Sequence, residues 1–410
     1  MKIAIICADT FPLTLSTNDK SVLRKCSNAG ALGKRAYQFY LDICTDISVK
    51  YLCTEVAGFA TEVDVYIPHY NYPDKSVEVM GPYFEDTLTS YISYNFNRGI
   101  SLDKLCDYNS VSAPIKKYDY IYIQTATGVN FNTVSLIPYN IGTKVIVDNW
   151  VPFLQEQVVN LKRYDNKGKR KFKQFKYAYD NLLQRADSIL FDNIYQLNYI
   201  EGYLQQMQGT LEGSKEFYQY KYDPFSVGNR KIYLHNKKIK PRKLLWYGPI
   251  YPWYDIDSIL NFIISQNKYS LTFYGVRHPR YTSYYNTHIK YKLIPSSLVS
   301  HNINIIEDFM EEKDEDNLLA SSDICVIFDN HQVENRYAVR VRILDLLAMG
   351  NIVVTNSRIC GLELKDGLYY IDNVYAELHK LLESKLCFSE ESYNKFIDYC
   401  VVNNVEDFIK

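Results

Sequence analysis

The sequence predicts an α/β protein built from two doubly wound parallel sheets, and three observations carry that expectation. Short, continuous β-branched runs such as KIAIIC at Lys2 to Cys7 fit strands buried on both faces of a parallel sheet. They alternate with segments whose apolar residues recur at helical spacing. The alternation breaks once, at 223–242 (DPFSVGNRKIYLHNKKIKPR), where Pro, Gly and basic residues interrupt it before a second strand series begins.

In the first series the strand candidates are Lys2 to Cys7, Tyr118 to Gln124 (YDYIYIQ), Thr143 to Asp148 (TKVIVD) and Ser188 to Phe191 (SILF). Helical spacing is found at Ala31 to Asp46 and at Pro152 to Lys162. The second series predicts strands at 243–247 (KLLWY), 270–274 (SLTFY), 303–306, 324–328 (ICVIF), 351–355 (NIVVT) and 369–371. Helices are expected at 256–266, 315–321, 341–349 and 374–382, and a last one at 389–403. The resulting division is a first Rossmann-like domain at 1–222, a linker at 223–243, and a second Rossmann-like domain at 244–388. A C-terminal helix at 389–410 has the option of crossing back to the first domain. No G-x-G-x-x-G fingerprint is present, so the ligand is expected in the cleft between the carboxyl-terminal strand ends of the two lobes.

Composition narrows the classes. With 410 residues, 47% of them hydrophobic and 23% charged, the chain has enough apolar material for two cores. Its 46 Lys and Arg nearly balance 47 Asp and Glu, which argues against a surface built to hold nucleic acid. Nine cysteines without a C-x-x-C pair suggest neither a zinc site nor a disulfide framework. The amino-terminal run lacks the features of a signal peptide, and no apolar run reaches the roughly 20 residues of a membrane span. The expectation is therefore a cytoplasmic protein. The 39 tyrosines suit carbohydrate or membrane-interface contact as well as simple compositional bias.

The richest stretch is Glu334 to Thr355, ENRYAVRVRILDLLAMGNIVVT. Its helix would end at Gly350 and begin near Arg340, where backbone N–H groups and the positive dipole end favour a phosphate. Arg340 and Arg342 add guanidinium donors able to grip phosphate oxygens, and Asp345 could accept ribose hydroxyls. The competing reading pairs the arginines with acidic neighbours and leaves Asp345 a solvated helix residue.

This segment resembles a branch of the family 4 glycosyltransferases, retaining enzymes of the GT-B fold, which carry strings similar to E-T-R-F-x-F-R-T-R-x-L-D-x-L-W-A-G-L-P-V-V. Glu334, Arg336, Arg340, Arg342, Leu344, Asp345, Gly350 and Val353 stand in matching order. LLWYGPIYPWYDIDSIL at 244–260 is similar to the same branch's G-G-x-x-x-W-x-D block, and LTFYGVRHP at 271–279 to its strand ending in G-x-x-H-P. VIVDNWVPFLQEQ at 145–157 and ADSILFDNIYQLNYIEGYL at 186–204 look like two of its first-lobe patterns.

The resemblance implies a donor site for a nucleoside diphosphate sugar. Gly248, Trp253, Asp255, Arg277, His278, Tyr337 and Asp345 would bind the donor, while Glu334, Arg340 and Arg342 would serve the reaction. In this picture Gly248 permits close backbone approach, Trp253 stacks on base or sugar or packs structurally, and Arg277 neutralises the departing diphosphate. His278 is a donor ligand or a structural histidine. Glu334 would bond the sugar hydroxyls, and front-face attack would leave the protein to supply positive charge and positioning. The loop SNAGALGKRAYQF at 27–39 offers Gly30, Gly33, Lys34 and Arg35 as an acceptor or phosphate loop, or as an ordinary helix-capping turn. No D-x-D motif stands in a metal-holding context, so no metal and no cofactor is expected.

The pattern also departs from that branch. The common signature E-x7-E is absent, since Tyr337 precedes Asp345 by eight and the second acid is Asp. The glycine-rich F-G-x-P loop is replaced by AVRVR, and Asn351 stands where Leu-Pro is usual.

Finally, KRYDNKGKRKFKQFKYAY at 162–179 interleaves basic and aromatic residues, with Lys169, Arg170, Lys171, Lys173 and Lys176 at its centre. Such a segment suits an anionic lipid surface, at about 1 kcal/mol per basic residue, a polyanionic glycan, or mere solvation. The functional expectation is transfer of a sugar from a nucleoside diphosphate sugar, UDP first and GDP next, with retention. The acceptor would be a hydroxyl of a surface glycan or lipid-linked molecule, at the inner face of the plasma membrane. The alternatives are a non-catalytic glycan-binding or partner protein and a nucleotide-sugar epimerase.

Overall fold

The computed structural model of the chain describes residues 2–6, 35–36, 62–70, 88–97, 100–107, 118–125, 142–149, 154, 166–208, 216–219, 232, 234, 239–251, 253–276, 286, 302–307, 310, 312–330, 337 and 340–400. These residues form two sheets. The first contains β1 (Lys2–Ile6), β2 (Glu62–Tyr70), β3 (Leu88–Asn97), β4 (Ile100–Asp107), β5 (Tyr120–Gln124), β6 (Lys144–Asp148), β7 (Ser188–Phe191) and β8 (Glu216–Gln219). They lie in the order β4-β3-β2-β1-β5-β6-β7-β8.

The continuous apolar runs became the central parallel strands, as expected: YIYIQ is buried at every position and KVIVD at all but Lys144. The sheet is not purely parallel, however. Strands β2, β3 and β4 pair antiparallel to one another at one edge, with Asp64 opposite Asn95 and Tyr94 opposite Asp103. Their sequences mix polar and apolar residues instead of forming continuous runs, a weaker signal than that of a strand buried on both faces. Helices α1 (Asn166–Arg185) and α2 (Ile194–Gln208) cover this sheet. Tyr179, Leu182, Leu183, Ile200 and Leu204 pack on Ile121, Ile123, Val145, Val147 and Ile189. The predicted helices at 31–46 and 152–162 fall outside the described residues, except for Arg35, Ala36 and Leu154, which are helical.

The second sheet contains β9 (Lys243–Tyr247), β10 (Ser270–Tyr274), β11 (Ile303–Ile306), β12 (Ile324–Ile327), β13 (Val353–Thr355) and β14 (Leu368–Tyr370). All pairs are parallel, in the order β11-β10-β9-β12-β13-β14. Counted along this half, that is 3-2-1-4-5-6, the order of a dinucleotide-type doubly wound sheet, whose strand order reverses between β9 and β12. Helices α3 (Ile256–Ser265), α4 (Glu312–Ser321), α5 (Val341–Ala348), α6 (Val374–Glu383) and α7 (Glu390–Cys400) accompany it. Helix α5 ends as its sequence predicts. Gly350 takes φ +79, its N–H donates to Leu347 O, and the Asn351 N–H reaches back to Leu346 O. That closing turn delays β13 to Val353.

Two boundaries differ from expectation. Residues 239–242, assigned to the linker, belong to the second lobe: Ile239 bridges to Leu386, and Lys240 and Arg242 join Lys268 on the Glu383 carboxylate. Hydrogen bonds from Lys240, Lys268 and Tyr269 hold that carboxyl well below the usual range. Helix α7 packs on the second lobe. The Tyr393 hydroxyl donates to Ala348 O at 2.9 Å, Phe396 is buried in the same core, and the Tyr399 hydroxyl donates to Cys360 O at 3.0 Å. The first lobe is nevertheless close, because the Asn193 and Gln196 side chains both reach the Tyr337 main-chain oxygen.

Candidate functional site

The reversal of strand order puts a crevice outside the carboxyl ends of β9 and β12. Strand β9 leaves the sheet through Gly248, whose φ of +91 suits glycine. The following loop is laced to the end of β12: Tyr254 bridges to Asp329, Asn330 N–H donates to Trp253 O at 2.7 Å, and Asp255 N–H to Phe328 O at 2.9 Å. A tight aromatic set fills it, with Tyr251 and Trp253 stacked at 4.7 Å and Tyr254 edge-on to the wholly buried Trp246 at 5.2 Å.

Helix α5 begins at this crevice. Arg340 is its N-cap and supplies no side-chain cap, so the first-turn N–H groups have no capping oxygen from that residue. Instead the Arg340 side chain turns away, Nε donating to Asp329 Oδ2 at 2.7 Å with only 10% of the side chain exposed. Asp329, 2% exposed, also accepts from the Ser357 hydroxyl, and its main chain exchanges two hydrogen bonds with Asn356. Thus Arg340 follows the competing reading, an arginine paired with an acid. Arg342 lies differently. Its Nη2 donates to Pro249 O at 2.9 Å, its guanidinium sits 5.0 Å over the Tyr254 ring, and its buried Nη1 has no hydrogen-bond partner among the described residues. Asp345 is half-buried in α5.

The carboxyl ends of β5, β6 and β7 form a second polar floor. Arg35, fully buried, meets Asp148 through Nε at 3.1 Å and Nη2 at 3.2 Å, and its Nη1 is 2.6 Å from Asp192 Oδ1. The Tyr122 hydroxyl also donates to Asp148. Two carboxyl groups thus share one guanidinium out of water. Burial pushes the Asp192 carboxyl up to about 8, against the pull of Arg35, and Asp148 adds to the rise.

Among the predicted site residues, Gly248, Trp253, Asp255, Arg340 and Arg342 come together where β9, β12 and the start of α5 meet, while Asp345 lies further along α5. Asp255 is occupied as the N-cap of α3, accepting from Ser258 N–H at 3.1 Å. Gly248 serves close approach, but what approaches is the Arg342 guanidinium. Tyr337 lies against the first lobe: its main-chain oxygen accepts from Asn193 and Gln196, and its ring is 5.5 Å from Tyr199. Arg35 is consumed in its buried cluster and does not offer the free cation expected of a phosphate loop, because Asp148 and Asp192 close on it. Gly30, Gly33, Lys34, Arg277, His278 and Glu334 lie outside the described residues. On α1, Lys169, Lys173 and Lys176 are exposed, Lys176 pairing with Asp180 at 2.8 Å and lying over Tyr203. Arg170 and Lys171 are on the same helix.

Asp148, Asp192, Asn193, Gln196 and Asp329 were missed. Their signal was in the sequence: three buried runs end in the same Asp-Asn pair, at 148–149, 192–193 and 329–330. An acid and an amide placed where a buried strand meets a cleft are polar groups that must find partners.

No protein-family model matches the chain, and no curated protein matches it. Solved structures do. Sucrose-phosphate synthase from Thermosynechococcus elongatus superposes with a TM-score of 0.58 at 10% identity, covering 97% of this chain and 94% of that one. TarM gives 0.50 at 10% identity, covering 100% and 97%. The UDP-forming alpha,alpha-trehalose-phosphate synthase from Burkholderia vietnamiensis gives 0.50 at 10% identity over 74% and 76%. At such identity the likeness speaks for the fold, and together with the two doubly wound sheets it establishes that this chain has the GT-B fold of two Rossmann-like domains.

Proposed function

We propose that the protein is a glycosyltransferase that takes a sugar from a nucleoside diphosphate donor, UDP before GDP, and places it on a hydroxyl of a surface glycan or lipid-linked acceptor with retention. The observation that carries this reading is the strand-order reversal between β9 and β12, beside which the amino end of α5 and Arg342, whose Nη1 has no hydrogen-bond partner among the described residues, supply fixed positive potential to an anionic ligand. The names of the solved structures of like fold, a sucrose-phosphate synthase and a UDP-forming trehalose-phosphate synthase, support the same class.

In this reading Arg342 holds the diphosphate through reaction and departure, and Asp345 takes the ribose. Arg340, neutralised by Asp329, shapes the start of α5 more than it grips phosphate. Glu334 and Arg277 are assigned to the transferred sugar and the leaving diphosphate by resemblance. The protein's work is positioning and charge stabilisation, as suits front-face transfer, in which the departing diphosphate helps to take the acceptor proton. The exposed Lys169 and Lys173 on α1 would bring the enzyme to an anionic acceptor surface. Among the described residues no helix is long and apolar enough to cross a membrane.

The test is a thermal-shift series with UDP, GDP, ADP and CMP and their sugar conjugates, since a ligand at 100 times its Kd stabilises by about 2.7 kcal/mol. A shift with one diphosphate that vanishes in Arg342→Gln supports the reading. No shift with any nucleotide would move the assignment to a non-catalytic protein of the same fold.

A further inference from the structure

The segment leading into α5 is gripped from the opposite lobe. Asn193 Nδ2 donates to the Tyr337 main-chain oxygen at 3.0 Å, and Gln196 Nε2 donates to the same oxygen at 2.8 Å. Both amides are buried, Asn193 4% and Gln196 0% exposed. Their far ends are fixed as well. Asn193 Oδ1 accepts from the N–H groups of Tyr195 and Gln196 at 3.0 and 3.1 Å, capping α2, and Gln196 Oε1 accepts from Asp192 N–H at 2.9 Å. The Tyr337 ring packs 5.5 Å from Tyr199, one turn along the same helix.

A single carbonyl that takes two N–H donors from amides already held at their other ends is a directional contact with little freedom left to lose. Arg340 follows three residues later, at the N-cap of α5, and Arg342 lies in the first turn. We propose that Asn193 and Gln196 are positioning residues, which hold the Tyr337 carbonyl and thereby fix the segment carrying Arg340 and Arg342, so that anion affinity in the second lobe depends on docking to the first. The proposal rests on the donor-site reading above and adds a dependence between lobes that the crevice alone does not require.

The test uses Asn193→Ser with Gln196→Met in the full chain. Both changes are neutral: serine at 193 keeps an oxygen for the α2 cap but is too short to reach the Tyr337 carbonyl, and methionine at 196 fills the glutamine's space without an N–H donor. Tyr199→Ala, which removes the ring contact and leaves the cap untouched, serves if the pair does not fold. Two quantities are measured: UDP affinity by calorimetry, beside wild type and Arg342→Gln, and amide exchange of peptides spanning residues 334–345 without nucleotide. The expected result is UDP binding weakened about tenfold, faster exchange in that span and a retained melting transition. Unchanged exchange overturns the proposal, as does faster exchange with unchanged UDP affinity. Should wild type bind no nucleotide, the donor-site reading fails, and the exchange arm alone decides whether the lobe contact orders this segment.

Discussion

The Arg342 guanidinium occupies the space that a side chain at residue 248 would need. A Cβ built on Gly248 would stand 2.9 Å from Arg342 Nε and 3.0 Å from its Cζ, and the backbone there has a φ of +91. The glycine at the end of β9 and the arginine in the first turn of α5 are therefore one device. The bare backbone leaves room for the guanidinium, which donates to Pro249 O and sits 5.0 Å over the Tyr254 ring.

It follows that Gly248→Ala should displace Arg342 as well as strain the turn. The expected outcome is a loss of about 1–2 kcal/mol in stability, from the left-handed backbone conformation alone. Nucleotide affinity should fall with it, and calorimetry with UDP beside a denaturant melt separates the two effects.

The two arginines should respond differently to removal. Arg340→Ala leaves the buried Asp329 carboxylate without its cation, which costs about 3–5 kcal/mol, a loss that chemical denaturation would register. Arg340→Met with Asp329→Asn should recover most of it. Arg342→Gln should leave the fold close to wild type and remove nucleotide binding. An equal loss of stability in both single variants would contradict this assignment.

Asp192 gives a pH dependence of defined sign. Its carboxyl is at about 8 in the fold against about 3.9 in an unfolded chain, so the folded state binds more protons between those values. Its contribution to stability is full below about pH 4, is lost as pH rises, and is gone above about pH 8. Asp192→Asn should flatten that part of the stability profile measured by urea titration from pH 4 to pH 9.

A purely structural test lies at Gly367, whose Cβ would stand 2.1 Å from Phe388 Cδ2 with φ at +86. Gly367→Ala should cost about 3 kcal/mol, from overpacking and strain together, and lower the thermal midpoint. The ring has little room to move, since Phe388 is fully buried and packs edge-on to Tyr393 at 5.7 Å.

On α1, Lys169→Glu with Lys173→Glu should reduce co-sedimentation with vesicles containing phosphatidylserine and leave UDP binding unchanged. Added salt should weaken the wild-type association in the same assay. Equal sedimentation of variant and wild type would assign the basic face to solvent.

Much of the fold was legible because burial on both faces of a parallel strand writes itself as an unbroken β-branched run. Most strands of the second sheet could be read that way, and the helix closed by Gly350 from its C-terminal glycine. The antiparallel strands between 62 and 107 could not, because their mixed pattern resembles a loop-rich stretch. At the site, the helix start put Arg340 and Arg342 together, and the resemblance assigned Gly248 to the same donor site.

The sequence by itself determined the two-lobed α/β plan and which strand ends and helix start would meet at a crevice, since these follow from local periodicity and chain order. Tertiary structure alone decided the partners. It gave Arg340 to Asp329, closed Arg35 between Asp148 and Asp192, laid Arg342 over Gly248 and fastened Tyr337 to Asn193 and Gln196. The physical reason is that a charge or polar group taken out of water must find whichever partner the fold brings within hydrogen-bond reach, and the partners of Arg340 and Arg35 stand 11 to 157 positions away in the chain.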